Sequence, residues 1–130
     1  MEKRLADMLR EFGWHRAGAP VRIMSFSFTA LQRMERLAPG VQLVQLIDRA
    51  QYWSMLRRVI GHDWIVGPGI DLLTEHPRTA RRIMGSGREV HVYVVNTPAQ
   101  LARCRELGVH AVITDRPKEV LAALGRRPPG

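Results

Sequence analysis

Apolar positions along this chain keep switching between a helical and an extended rhythm. Leu5, Met8, Leu9 and Phe12 recur at i, i+3, i+4 and i+7, so residues 2 to 13 predict an amphipathic helix with one core-facing stripe. Gly18 to Pro20 break it, and Val21 to Phe26 read as a short strand. Thr29-Ala-Leu-Gln32 has the form of a capping box, which starts a second helix near residue 30 carrying Leu31, Met34 and Leu37. Pro39-Gly40 end that helix, and Val41 to Ile47 are again strand-like. The alternation continues with a helix over 49 to 59 (Trp53, Leu56, Val59), a short strand over Trp64 to Val66, and a helix over 77 to 84 closed by Gly85 as a left-handed cap. Val90 to Val95 form the strongest strand pattern. Thr97-Pro-Ala-Gln100 is a second capping box, and Gly108 closes its helix. Ala111 to Ile113 are a final strand, followed by a helix with Val120, Leu121 and Leu124.

Strands that begin roughly every 20 to 26 residues, with a helical pattern between each pair, are the signature of consecutive βα units and a parallel sheet. The fold class is therefore α/β. Parallel strands are covered on both faces, which accounts for the nearly unbroken apolar runs at Val90 to Val95 and Ala111 to Ile113. Ligands of such folds sit beyond the carboxyl ends of the strands. Ser25-Phe26, Ile47-Asp48, Val95-Asn96 and Thr114-Asp115 hold those places. Asp115 is also positioned to cap the last helix, with Pro117 in its first turn.

Composition narrows the picture. A chain of 130 residues with 45% apolar and 25% charged residues is one soluble domain's worth of sequence. The lone Cys104 has no partner for a disulfide or a thiolate metal site and reads as a small core residue, which fits a reducing compartment and a cytoplasmic location. There is neither a signal-peptide pattern nor an apolar run of membrane-spanning length. The net charge of +8 raises nucleic acid as a partner, but the basic residues are scattered as singles and pairs such as Arg57-Arg58, Arg81-Arg82 and Arg126-Arg127. A solvated basic surface is the reading adopted, with no nucleic-acid partner. Gly67-Pro-Gly69 lacks both a dinucleotide fingerprint and a P-loop lysine and reads as a loop after a strand.

Met24-Ser-Phe-Ser27, Leu37-Ala-Pro-Gly40, Val66-Gly-Pro-Gly-Ile-Asp71, Val90-His-Val-Tyr-Val-Val-Asn96 and Leu107-Gly-Val-His-Ala-Val-Ile-Thr-Asp-Arg-Pro117 occur in that order. Together they resemble the C-terminal half of a glycerophosphodiester phosphodiesterase, a phosphoric diester hydrolase of glycerophospholipid metabolism. The resemblance covers about residues 20 to 124. It implies a TIM-type (β/α)8 barrel, of which the single partial domain 1 to 130 would supply the last four βα units and the helix before them. It further implies a substrate pocket lined by Ser25, Phe26, Tyr93 and Asn96. Tyr93 stands where the family usually has Trp, and Val94 where it usually has Thr.

The family's paired catalytic His residues and its ligands for Ca²⁺ or Mg²⁺ belong to the first half of the barrel, and their motifs are not found here. His15, His62, His76, His91 and His110 suggest no substitute, nor do the scattered Asp48, Asp71 and Asp115 suggest a metal site. No catalytic residue, metal ligand or bound cofactor is therefore expected of this chain alone, which is expected to be inactive. A glycerophosphodiester would be its substrate only when an N-terminal half completes it. The alternative is a non-enzymatic half-barrel with a basic surface. Two open strand edges suggest a homodimer or a complementary half-barrel as partner.

Overall fold

The computed structural model describes residues 2–13, 15 and 21–125. The elements run α1 (Glu2–Glu11), β1 (Arg22–Ser25), α2 (Phe28–Leu37), β2 (Gln42–Ile47), α3 (Ala50–Leu56), β3 (Ile65–Pro68), α4 (Ile70–Glu75), α5 (Pro77–Met84), β4 (His91–Tyr93), α6 (Pro98–Leu107), β5 (Ala111–Ile113) and α7 (Pro117–Ala123). Every strand pairing is parallel: β1 with β2, β2 with β3, and β4 with β5. Isolated bridges Val66–Val90 and Gly69–Tyr93 join β3 to β4, so the strands follow one another in chain order with β1 and β5 at the two margins. Five strands, each followed by a helix, make five βα units where the resemblance implied four. Among the described residues no helix is long and apolar enough to cross a membrane. The break expected at Gly18 to Pro20 lies outside the described residues.

One sheet face carries Leu43, Ile47, Val66, Val90 and Val92, which join Leu31, Met34, Trp53, Leu73, Ile83, Leu101 and Val120 from the helices in a single apolar core. This burial is the main stabilising term, since each fully buried aliphatic side chain contributes about 1.5–3 kcal/mol. The other face carries Val44, Leu46 and Gly67. A Cβ on Gly67 would meet Leu46 Cδ2 at 2.8 Å and Val44 Cγ1 at 2.9 Å, so glycine is what lets these neighbours close over β3.

Several boundaries differ from the sequence expectations, each for a local reason. Ser27, not Thr29, caps α2: its hydroxyl accepts the Ala30 amide at 3.2 Å, two residues earlier than the expected box. Gly85 ends α5 in a right-handed conformation (φ −81°), and the left-handed glycine is Gly87 (φ 79°). Asp115 does not cap α7. Arg116 takes the N-cap position without a side-chain bond, its amide donates to Thr114 Oγ1 at 2.9 Å, and the Asp115 amide is engaged by Asn96. Gly67-Pro68 belong to β3 rather than to a loop, and Gly69 opens the unexpected helix α4. α1 turns Ala6 and Leu9 inward and leaves Met8 and Phe12 exposed, because α2 covers a narrower stripe than the periodicity suggests. Val59 lies past the end of α3 and is likewise exposed. At α6 the expectation holds: Thr97 and Gln100 form a reciprocal capping box, Pro98 opens the helix, and Gly108 (φ 76°) closes it. Cys104 is buried as a core residue.

Candidate active site

The carboxyl ends of the strands meet at a cavity of about 320 Å³ whose lining includes Asp48, Gly69, Asp71, Tyr93, Val94 and Gln100. Parallel pairing puts these residues together, since it aligns the ends of β2, β3 and β4. Tyr93 ends β4 and sends its hydroxyl across to donate to the Ile47 carbonyl at 3.3 Å. Gly69 makes that reach feasible, for a Cβ there would stand 3.3 Å from the Tyr93 hydroxyl oxygen. Phe26, just past β1, meets the Tyr93 ring edge-to-face, with centroids 5.9 Å apart and planes at 83°. The Tyr93–Val94 peptide bond is cis.

Tyr93 titrates unusually high. Desolvation, then the charge of Asp48, then that of Asp71 push its phenol from 10.0 up to about 12. All three causes oppose a negative phenolate. The hydroxyl is therefore a hydrogen-bond donor at neutral pH and not a base.

Asn96 has a different task. Its Oδ1 accepts the Thr114 hydroxyl at 2.8 Å and the Asp115 amide at 3.3 Å, which ties the end of β4 to the end of β5. Its own amide donates to Gln100 Oε1 at 2.8 Å, so the α6 capping box also holds this corner. Ser25 accepts the Ser27 amide through its hydroxyl oxygen at 3.0 Å and shapes the turn into α2. Beneath that turn the buried Gln45 donates to the carbonyls of Phe26 at 3.1 Å, Leu46 at 3.3 Å and Ser25 at 3.4 Å, while its Oε1 has no partner.

The structure thus brings Phe26 and Tyr93 together and leaves Ser25 and Asn96 as supports of the loops on either side. The sequence placed Asp48 at a strand end but did not count it or Asp71 among the pocket residues; the two share this cavity and an adjoining one of about 300 Å³ lined also by Glu75 and His76. The signal for both lay in their positions just after β2 and β3, where a parallel sheet places its ligands. His91 is buried with a ring nitrogen 2.7 Å from Glu89, and His110 Nδ1 accepts the Val90 amide at 3.0 Å. Both sit toward the amino ends of β4 and β5, away from the cavity.

Among the described residues no three His, Cys, Asp or Glu side chains converge as a metal site. A hard divalent cation takes six or more oxygen ligands, usually including several carboxylates or waters. Asp48 and Asp71 alone do not make up that donor set.

A polar cavity at the carboxyl ends of a parallel βα sheet is where α/β proteins of this class place their ligands. Comparison with known proteins specifies the family. Residues 1–119 match the profile of the glycerophosphoryl diester phosphodiesterase family, and the chain belongs to that family. It is 31% identical over 122 residues to a glycerophosphodiester phosphodiesterase of Bacillus subtilis, covering 90% of this chain and 42% of that protein. Two solved structures share the fold. One is an Oleispira antarctica phosphodiesterase in complex with the product sn-glycerol-3-phosphate (TM-score 0.74, 16% identity, 95% of this chain and 50% of that one). The other is a glycerophosphodiester phosphodiesterase of Parabacteroides distasonis (TM-score 0.69, 19% identity, 95% and 51%). The neighbours are TIM barrels, and this chain matches about half of each. It likewise spans about half the length of the curated relatives it matches.

Proposed function

We propose that this chain forms one side of a glycerophosphodiester-hydrolysing barrel, lining the substrate pocket with Phe26 and Tyr93 on frames held by Ser25 and Asn96. The family match over residues 1–119 carries the reading. The geometry supports it: an aromatic corner beside a protonated phenol, whose O–H is turned to the Ile47 carbonyl and whose oxygen can still accept, suits a glycerol or alcohol moiety, which offers apolar C–H surface and a hydroxyl donor. Hydrolysis of a phosphodiester also requires a group to activate the nucleophile and an acid to protonate the leaving alkoxide. No described histidine lines the cavity at Tyr93, and the acid, the base and the Ca²⁺ or Mg²⁺ ligands are assigned to βα units outside residues 1–130.

The test is release of glycerol phosphate from glycerophosphodiesters with Ca²⁺ or Mg²⁺ present. Residues 1–130 alone should give background rates. The same chain fused behind the part of the Bacillus subtilis relative that it does not span should turn over. Metal-dependent turnover by residues 1–130 that is lost on Asn96→Ala or Asp115→Asn would contradict the assignment of the catalytic groups elsewhere. A well-folded fusion without turnover would contradict the hydrolase reading itself.

A further inference from the structure

A second cavity, of about 680 Å³, opens at the opposite end of the sheet and is lined by Trp53, Ser54, Arg57, Arg82, Ser86 and Arg88 among others. It lies where α3 and α5 end and where the chain approaches β3 and β4, so it belongs to the amino-terminal rim of the strands and not to the phosphodiester site. We propose that this cavity is an anion site for a phosphate group, separate from the hydrolytic pocket.

Charge makes the case. Three guanidiniums line the cavity and no carboxylate does. The C-termini of α3 and α5 each bring about half a negative charge, too little to neutralise three cations. The side chains of Arg57 and Arg82 make no hydrogen bond or ion pair with another described residue, whereas Arg10 and Arg103 pair with Asp7 and Glu106 on their own helices.

Arg88 is pre-positioned. Its Nη1 donates to the Gly61 carbonyl at 2.6 Å and the Trp64 carbonyl at 3.5 Å, and its Nη2 to the Ile60 carbonyl at 3.4 Å. These bonds hold the guanidinium in a fixed plane and leave part of its five-donor fork unspent. Burial pushes its pKa down and the charge of Asp63, which does not line the cavity, pulls it up. Ser54 and Ser86 add hydroxyls. Ser86 Oγ already donates to the Ile83 carbonyl at 2.6 Å, which leaves its lone pairs to the loop and Ser54 as the neutral donor. The tetrahedral oxygens of phosphate match several converging guanidinium N–H groups, and the indole of Trp53 closes one wall.

The phosphate could be carried by a small soluble molecule or by a lipid headgroup, and one set of variants distinguishes the two. Arg57→Gln and Arg82→Gln change exposed side chains, so melting curves should match the parent chain; Arg36→Gln on α2 is the remote control. Calorimetric titration with inorganic phosphate and with pyrophosphate should show one saturable site that either pocket variant weakens roughly tenfold and Arg36→Gln leaves alone. Co-sedimentation with phosphatidylglycerol vesicles, against phosphatidylcholine vesicles, assigns the source. Binding to the anionic vesicles that Arg82→Gln abolishes assigns the site to a headgroup, and its absence alongside phosphate binding assigns it to a soluble ligand. If neither phosphate, pyrophosphate nor anionic vesicles bind in a manner sensitive to Arg57 and Arg82, the proposal is overturned.

Discussion

β2 and β3 are hydrogen-bonded to a strand on each side and buried along most of their length, whereas β1 and β5 at the margins pair on one side and are half-exposed throughout. Both regions come from the same kind of βα unit. The difference lies in neighbours: a parallel strand needs cover on two faces and partners on two edges, and the marginal strands lack one of these partners among the described residues. Solved relatives of which this chain matches about half show the same unit repeated around a closed barrel. The margins are therefore where this sheet has unpaired edges among the described residues.

The comparison can be attacked first through packing, where the effect is largest. Ile47, in the fully buried part of β2, should lose about 3 kcal/mol on truncation to Ala, while Ile23→Ala in β1 should cost about 1 kcal/mol. Urea denaturation of both variants measures this, and equal losses would mean that the margin is as finished as the centre.

Steric room offers a second contrast. Gly67→Ala forces a Cβ to within 3 Å of Leu46 and Val44 and should cost about 2 kcal/mol, whereas Gly13→Ala has nothing within 4 Å and pays only for its positive φ. Thermal melts of the two variants should keep that order. A smaller loss, about 1 kcal/mol, is expected for Thr97→Ala, which removes the capping box that also holds Asn96 between β4 and β5.

The smallest effect is electrostatic and tests the cavity at the strand ends. Tyr93 should titrate near pH 12, read from its absorbance, and Asp48→Asn should lower that value more than Asp71→Asn does. Because the folded pKa lies above the ordinary 10.0, the linked stability is complete below about pH 10 and is lost as the pH rises from there through about 12. Tyr93→Phe should flatten that decline.

Much of this organisation was legible in the sequence. The capping box at Thr97 and Gln100 and the helix-closing Gly108 are local devices whose residues determine their own geometry, and both occur as read. Gly85 ends its helix as read but not in the left-handed conformation, because any glycine after a helix fits the same pattern and the turn to Val90 uses Gly87 instead. α4 was missed because Gly67-Pro-Gly69 looks like a loop, although Pro68 can sit in β3 where its absent N–H is not needed for the sheet. The face of α1 was misread for a tertiary reason: periodicity gives a stripe, and only the helix that packs on it decides how much of the stripe is covered. At the site, the strand ends were readable, but the meeting of Asp48, Asp71 and Tyr93 was not. That convergence depends on the register of β2, β3 and β4, which no local pattern encodes.

Hydrogen–deuterium exchange under native conditions tests the contrast between centre and margins most directly. Amides of β2 and β3, such as Val44 and Val66, should exchange roughly a hundredfold more slowly than those of Ile23 in β1 and Val112 in β5. Fusing on the part of the Bacillus subtilis relative that this chain does not span should slow the marginal amides toward the central rate. Equal protection of all four strands in residues 1–130 alone would contradict the account, because it would mean that β1 and β5 are not open edges.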